Sequence, residues 1–276
     1  MSHSTLTAVV VAGVVLAMAG GPVDASPSGT VAAAQTDQTD RIEIDANVDS
    51  NEEAVAFARN VMEVKGHLQA SVRLAGDFQP EEAAFHAEHA YADYWNESSP
   101  RGPLAPAVEA ANESLASDFE AELEALESAS RELSPEAYER RVREEVFPLL
   151  DRALVAAVPS AYRENETFDA RVTNALLERI DGEYAAAINA SGDVTSREGY
   201  REYWDARGFV VQASERYEGA IAPTLDDSAR TRANDSFAEL QARASLERPP
   251  AELRSVAADL RSTLSSAANE STSRLD

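Results

Sequence analysis

From Ser50 onward, apolar residues recur every three or four positions, the spacing that puts them on one face of an α-helix. Phe57, Val61, Val64, Leu68 and Val72 mark a first helix, opened by the capping box Ser50-Asn51-Glu52-Glu53 and ended by Gly76. Pro80 suits the first turn of a second, running to about Trp95. A third is predicted from about Ala105 to Leu133, with Leu115, Phe119, Leu123 and Leu126 inward, and Asn112 within it but off that stripe. Ser134-Pro135 caps a fourth, which Pro148 kinks and Pro159 ends. Further helices follow near 166–190, 196–221, 224–246 and 250–270, parted by Gly192, Pro223 and Pro249-Pro250. The two-residue alternation of strands is nearly absent beyond the N-terminal segment, so the expected class is all-α, a helical bundle of about seven to eight helices. Tyr91-x-x-Tyr94-Trp95-Asn96 recurs as Tyr200-x-x-Tyr203-Trp204-Asp205. That echo suggests two packed four-helix units, 49–160 and 161–276.

The chain before Ser50 reads differently. Leu6 to Val23 is an apolar run followed by the small residues Val23 and Ala25, which predicts a signal peptide over 1–25 and a secreted protein. The run lacks a basic flank, so an uncleaved N-terminal anchor is the alternative. Residues 26–48 are polar and aperiodic, a flexible tether. No later stretch approaches membrane length, so the mature chain is expected to have no membrane span. Six of ten asparagines stand in Asn-x-Ser/Thr sequons: Asn96, Asn112, Asn165, Asn189, Asn234 and Asn269. A sequon is a glycosylation acceptor only in an exported chain, and these point to an extracellular cell-surface glycoprotein.

Charge narrows the partners. Forty-nine acidic residues against 24 basic leave a net charge of −25, which excludes nucleic acid and anionic membrane surfaces. At molar salt the Debye length falls to about 3 Å and the self-repulsion is screened. Lys65 is the single lysine among those basic residues; the acid-rich, lysine-poor composition resembles that of halophilic, haloarchaeal (archaeal) proteins. Absence of cysteine excludes disulfides, thiolate metal ligands, blue-copper and iron–sulfur centres.

The chemistry is concentrated in one hairpin. Three of the four histidines, His67, His86 and His89, lie within 23 residues. Asn60, Glu63, His67 and Ser71 share one helical stripe, and Glu82, His86, His89 and Asp93 another. His67 precedes Gly76 by nine residues and His89 follows Pro80 by nine, so both stand roughly 13 Å from the turn of an antiparallel pair. The expectation is a metal cluster of His67, His86 and His89, with Glu63 or Asp93 as the nearest carboxylate and the rings on the hairpin's polar flank. Imidazole suits iron, copper, zinc and nickel. Neither the Glu-x-x-His pairs of diiron bundles nor His-Glu-x-x-His is present. The competing reading is structural: histidines that hydrogen-bond within the bundle.

Val64-Lys-Gly-His67-Leu-Gln-Ala-Ser-Val-Arg-Leu74, Ala84-Phe-His86-Ala-Glu-His89 and Tyr94-Trp95 together resemble a haloarchaeal secreted helical domain associated with halocyanin-type copper proteins. They are also distantly similar to extracytoplasmic helical domains of Ftr1-type iron permeases. Tyr203-Trp-Asp-Ala-Arg-Gly-Phe209 has the same character. The resemblance implies an iron or copper ion, and a membrane permease or a cupredoxin as partner, with His67, His86 and His89 as the positions of interest. This chain departs from the copper proteins in carrying no cupredoxin domain.

Three functions follow: an extracellular metal-binding module for iron or copper capture or delivery; a non-catalytic cell-surface helical glycoprotein mediating envelope protein interactions; and an enzyme. No nucleophile pattern, phosphate loop or dinucleotide fingerprint supports the last, so the expectation is a non-enzyme with no catalytic residues.

Overall fold

The computed structural model describes residues 46–95, 99, 101–165 and 167–273, with side chains to 266. The signal segment, the tether through residue 45, Asn96 and the side chain of Asn269 lie outside the described residues. All described residues belong to one compact unit, 40–276. It is an all-α helical bundle, and among the described residues the one β contact is an isolated bridge, Ile188 to Val194. None of the described helices is long and apolar enough to cross a membrane.

The elements are α1 (Asn51–Gly76), α2 (Pro80–Ala92), α3 (Ala105–Ala111), α4 (Glu113–Glu132), α5 (Pro135–Arg141), α6 (Phe147–Ala157), α7 (Ser160–Arg163), α8 (Phe168–Ala187), α9 (Arg197–Arg216), α10 (Asp227–Ser245) and α11 (Pro250–Ser273). The local signals act as their chemistry requires. Ser50 Oγ accepts from the Glu53 amide, while Glu53 Oε2 accepts from the Ser50 amide, completing the capping box. The second helix stops at Ala92, and Tyr94 and Trp95 lie in the turn beyond it, both buried. The predicted third helix is broken at Asn112, whose extended backbone ends α3 and whose Oδ1 accepts from the Leu115 amide to start α4. Between α5 and α6 one π-helical turn, Val142–Val146, replaces the regular helix, and Pro148 falls in the first turn of α6, where its missing N–H is tolerated.

α1 runs through the middle. It packs on α2, α8 and α9 and also meets α4 to α7. It is therefore buried on nearly every side, and its stripe of Asn60, Glu63, His67 and Ser71 is buried too. Those groups were expected on a polar flank. Burying unpaired polar groups is costly, so each must find a partner. Asn60 Nδ2 donates to the carbonyls of Arg101 and Gly102, at 3.1 and 3.0 Å. Ser71 Oγ donates to the Ala83 carbonyl at 2.6 Å and meets Tyr138 Oη at 2.7 Å. α2 turns Ala83, Ala84, Ala87 and Ala90 inward, and their small side chains let it lie close against α1 and α4.

Candidate metal centre

Two helices cross at closest approach beside His67. A Cβ on Gly208 of α9 would collide with the Gly66 carbonyl oxygen, and one on Gly66 would collide with the Phe209 ring. Glycine at both positions lets the α1 and α9 backbones touch, and that contact brings Asp205 of α9 against the histidines of the hairpin. His67 Nδ1 stands 2.6 Å from Asp205 Oδ1, and His86 Nδ1 is 2.7 Å from the same oxygen. One ligand atom from each of the three residues lies within 4.8 Å of the other two, in a place where all three are buried.

The expected cluster is thus partly assembled and partly corrected. His67 and His86 converge. Their carboxylate is Asp205, 119 residues beyond His86, and neither Glu63 nor Asp93 fills that role. His89 is half-buried and outside the trio, with its ring centroid 6.2 Å from that of His67. Glu63 turns away, to Arg59 at 3.2 Å, Arg179 at 3.7 Å and the Tyr94 hydroxyl. Asp93 caps the end of α2, its carbonyl accepting from Ser99 Oγ. The tyrosine echo held the missing signal. Asp205 occupies in the second copy the place of Asn96 in the first, and only the close crossing of α1 and α9 reveals why it matters.

The hydrogen bonds define which atoms are free. Tyr94 Oη donates to Glu63 Oε2 at 2.6 Å, so the same oxygen is left to accept from His67 Nε2–H at 3.3 Å. Burial, reinforced by Glu63, pushes the Tyr94 phenol well above its ordinary pKa and keeps it a donor. With its Nε2 protonated, a neutral His67 holds an unprotonated Nδ1 2.6 Å from a carboxylate oxygen. That approach is repulsive unless a cation lies between them. Although close, Asp205 Oδ1 lies off the ring's N–H direction, so His67 Nδ1 has no aligned hydrogen-bond partner. The fully buried His86 donates through Nδ1 to Asp205 and leaves Nε2 without a partner.

Without a metal, protonation of the His67 ring supplies the positive charge. Burial alone would lower the His67 pKa, but the Asp205 carboxylate outweighs it and raises the value. Burial would likewise raise Asp205, yet His67 and His86 hold it far below the usual carboxylate range. A metal ion would take the place of that proton. Two imidazoles and one carboxylate with open positions are the donor set of non-haem ferrous sites. Hydrogen bonding of the outer ring nitrogen through Tyr94 to Glu63 is the support that ligating histidines ordinarily have.

A second buried charge group adjoins. Arg179 pairs with Glu183 and Glu63, and Arg101 reaches Glu183 at 3.4 Å. Glu202 shares a hydrogen bond with Glu183; burial, then that neighbour, pushes its carboxyl up to about 10, so it is protonated at neutral pH.

Fold and site together define a helical bundle with a buried His/His/Asp triad suited to a transition-metal ion. Residues 159–275, from α7 through α11 and including Asp205, match the model of the iron permease-associated 4-helix bundle domain. His67 and His86 come from the helices before the matched segment. No curated protein and no solved structure gives a significant match to the chain.

Proposed function

We propose that this protein is an extracellular metal-binding module that captures or delivers a transition-metal ion for a membrane permease, without catalysing a reaction. The observation that carries this reading is the convergence of His67, His86 and Asp205 from three helices onto one buried point. Similarity of residues 159–275 to a domain associated with iron permeases supports iron as the cargo. The donor set, two imidazoles and one carboxylate, is one that ferrous sites use. The signal-like segment 1–25 and the −25 charge support export into a saline medium. A second reading, a surface glycoprotein with structural histidines, is favoured by one observation: Asn112, Asn165, Asn189 and Asn234 are all exposed.

Titration calorimetry with ferrous, cupric and zinc ions, the first under anaerobic conditions, tests the proposal. One equivalent should bind the wild-type protein, and Asp205→Asn should abolish binding while circular dichroism shows the helices intact. A folded wild-type protein that binds none of the three ions would refute it.

A further inference from the structure

His67, His86 and Asp205 are 4%, 0% and 4% exposed, so an ion cannot meet them directly from solvent. A metal-binding side chain with a face in solvent stands beside them, His89. It lies one turn along α2 from His86, on the same side, and its ring is tilted 39° to that of His67. Among the described residues its ring nitrogens make no hydrogen bond, unlike the outer nitrogen of His67. What holds it is aromatic contact: the His89 ring lies 4.0 Å from the Phe85 ring, centroid to centroid, and tilted 39° to it. Phe85 is in turn covered by the Arg201 guanidinium at 3.4 Å, and Arg201 is fixed to Glu82 at 2.9 Å. Phe85 also meets His86 edge-on. A column of Arg201, Phe85 and His89 therefore lies along the outer side of the two buried histidines, and its last member is an imidazole with no hydrogen-bond partner among the described residues.

From this we infer that His89 is the entry ligand of the metal centre, taking an ion from solvent and passing it to His67, His86 and Asp205 without remaining bound. The inference rests on the function proposed above. An imidazole free of hydrogen bonds can rotate about its side-chain torsions without breaking a polar contact, so it can face solvent in one rotamer and His67 in another. Each exchange then moves the ion between two nitrogen donors, and it is never stripped of protein ligands between water and the buried site.

The test is kinetic. Metal-free protein is mixed with cobaltous ion, and loading is followed by the visible bands of the bound ion; the endpoint gives stoichiometry and affinity. His89→Ala should load at least tenfold more slowly and release to a chelator with similar slowing, at unchanged stoichiometry and with affinity within about twofold. His89 is half-exposed, so the fold should survive, and Phe85→Ala, which opens the column but keeps the imidazole, should load no more slowly than wild type. His89→Ala loading at the wild-type rate would overturn the inference, as would loss of the bound ion at equilibrium, which would make His89 a resident ligand. A wild-type protein that binds no cobalt, ferrous, cupric or zinc ion would refute the metal-binding function itself.

Discussion

At Asp205 a single carboxylate oxygen faces two imidazole nitrogens in a place closed to water, and the balance of charge there sets both stability and binding. Removing one partner of a buried ion pair leaves the other uncompensated, at a cost of about 3–5 kcal/mol. Asp205→Asn should therefore lower the stability of the metal-free protein by an amount in that range, measured by denaturant titration. The pH dependence has a definite sign. His67 is raised, so its attraction to Asp205 is fully present below the ordinary histidine pKa of about 6.5 and is lost as pH rises through the folded-state value. Asp205 is lowered, so its contribution is present above the ordinary carboxylate pKa of about 3.9 and is lost only at lower pH. Metal-free wild-type protein should lose stability as pH rises above about 6.5, and Asp205→Asn should lack that part of the loss.

Glu202 behaves in the opposite sense from an ordinary surface carboxylate. Its pKa is pushed up to about 10, so its favourable protonation is complete at acid pH and is lost progressively above the unfolded value of about 4.3. Glu202→Gln keeps a donor towards Glu183 and removes the cost of ionisation. The variant should match wild type near pH 4 and gain about 1–3 kcal/mol by pH 8, read from unfolding midpoints. Residue-scale legibility was uneven. Spacing within one helix puts His67 and His86 each on one stripe with other polar groups, because three- and four-residue periodicity fixes a face, but it read that stripe as a polar flank and the fold buries it. Spacing carries nothing about a partner on another helix, which is why Asp205 stood in the tyrosine echo with nothing to tie it to the histidines, and His89 shares the stripe without reaching the trio.

Among the helices, the crossing of α1 and α9 has the most consequence. The Gly66 and Gly208 backbones touch, so a methyl group at Gly208 must separate the helices that carry His67 and Asp205. Gly208→Ala should lower thermal stability and weaken metal binding together. Gly182, near the C-terminal end of α8, has nothing within 4 Å of the position a Cβ would take. There the ordinary helix preference applies, and Gly182→Ala should stabilise the protein by about 0.5–1 kcal/mol with metal binding unchanged. Helix ends were largely legible because Gly76, Pro80, Ser134-Pro135 and Pro250 act through local backbone chemistry. Asn112 was not: inside an apolar stripe that continues on both sides, only its extended backbone shows that it caps a new helix.

For the whole molecule, the periodicity of apolar residues made the all-α class plain, while it could not show that α1 is enclosed by its neighbours. A central helix carrying Glu63, His67 and Ser71 is enclosed only because each of these meets a partner from another segment. Over the whole sequence acidic residues outnumber basic ones by 25, and arginines pair with them at the surface, as Arg254 does with Asp181 and Arg261 with Glu178. The surplus repels itself. Melting temperature should rise steadily from about 0.1 to 3 M sodium chloride as the repulsion is screened, and a midpoint insensitive to salt would show that the charge is not limiting.

The central claim is that His67, His86 and Asp205 hold a metal ion, and anaerobic titration of ferrous ion into metal-free wild-type and Asp205→Asn protein tests it most directly. The account predicts one equivalent bound by the wild type and none by a variant that circular dichroism shows to be folded. Equal binding by both, or none by a folded wild-type protein, would contradict it.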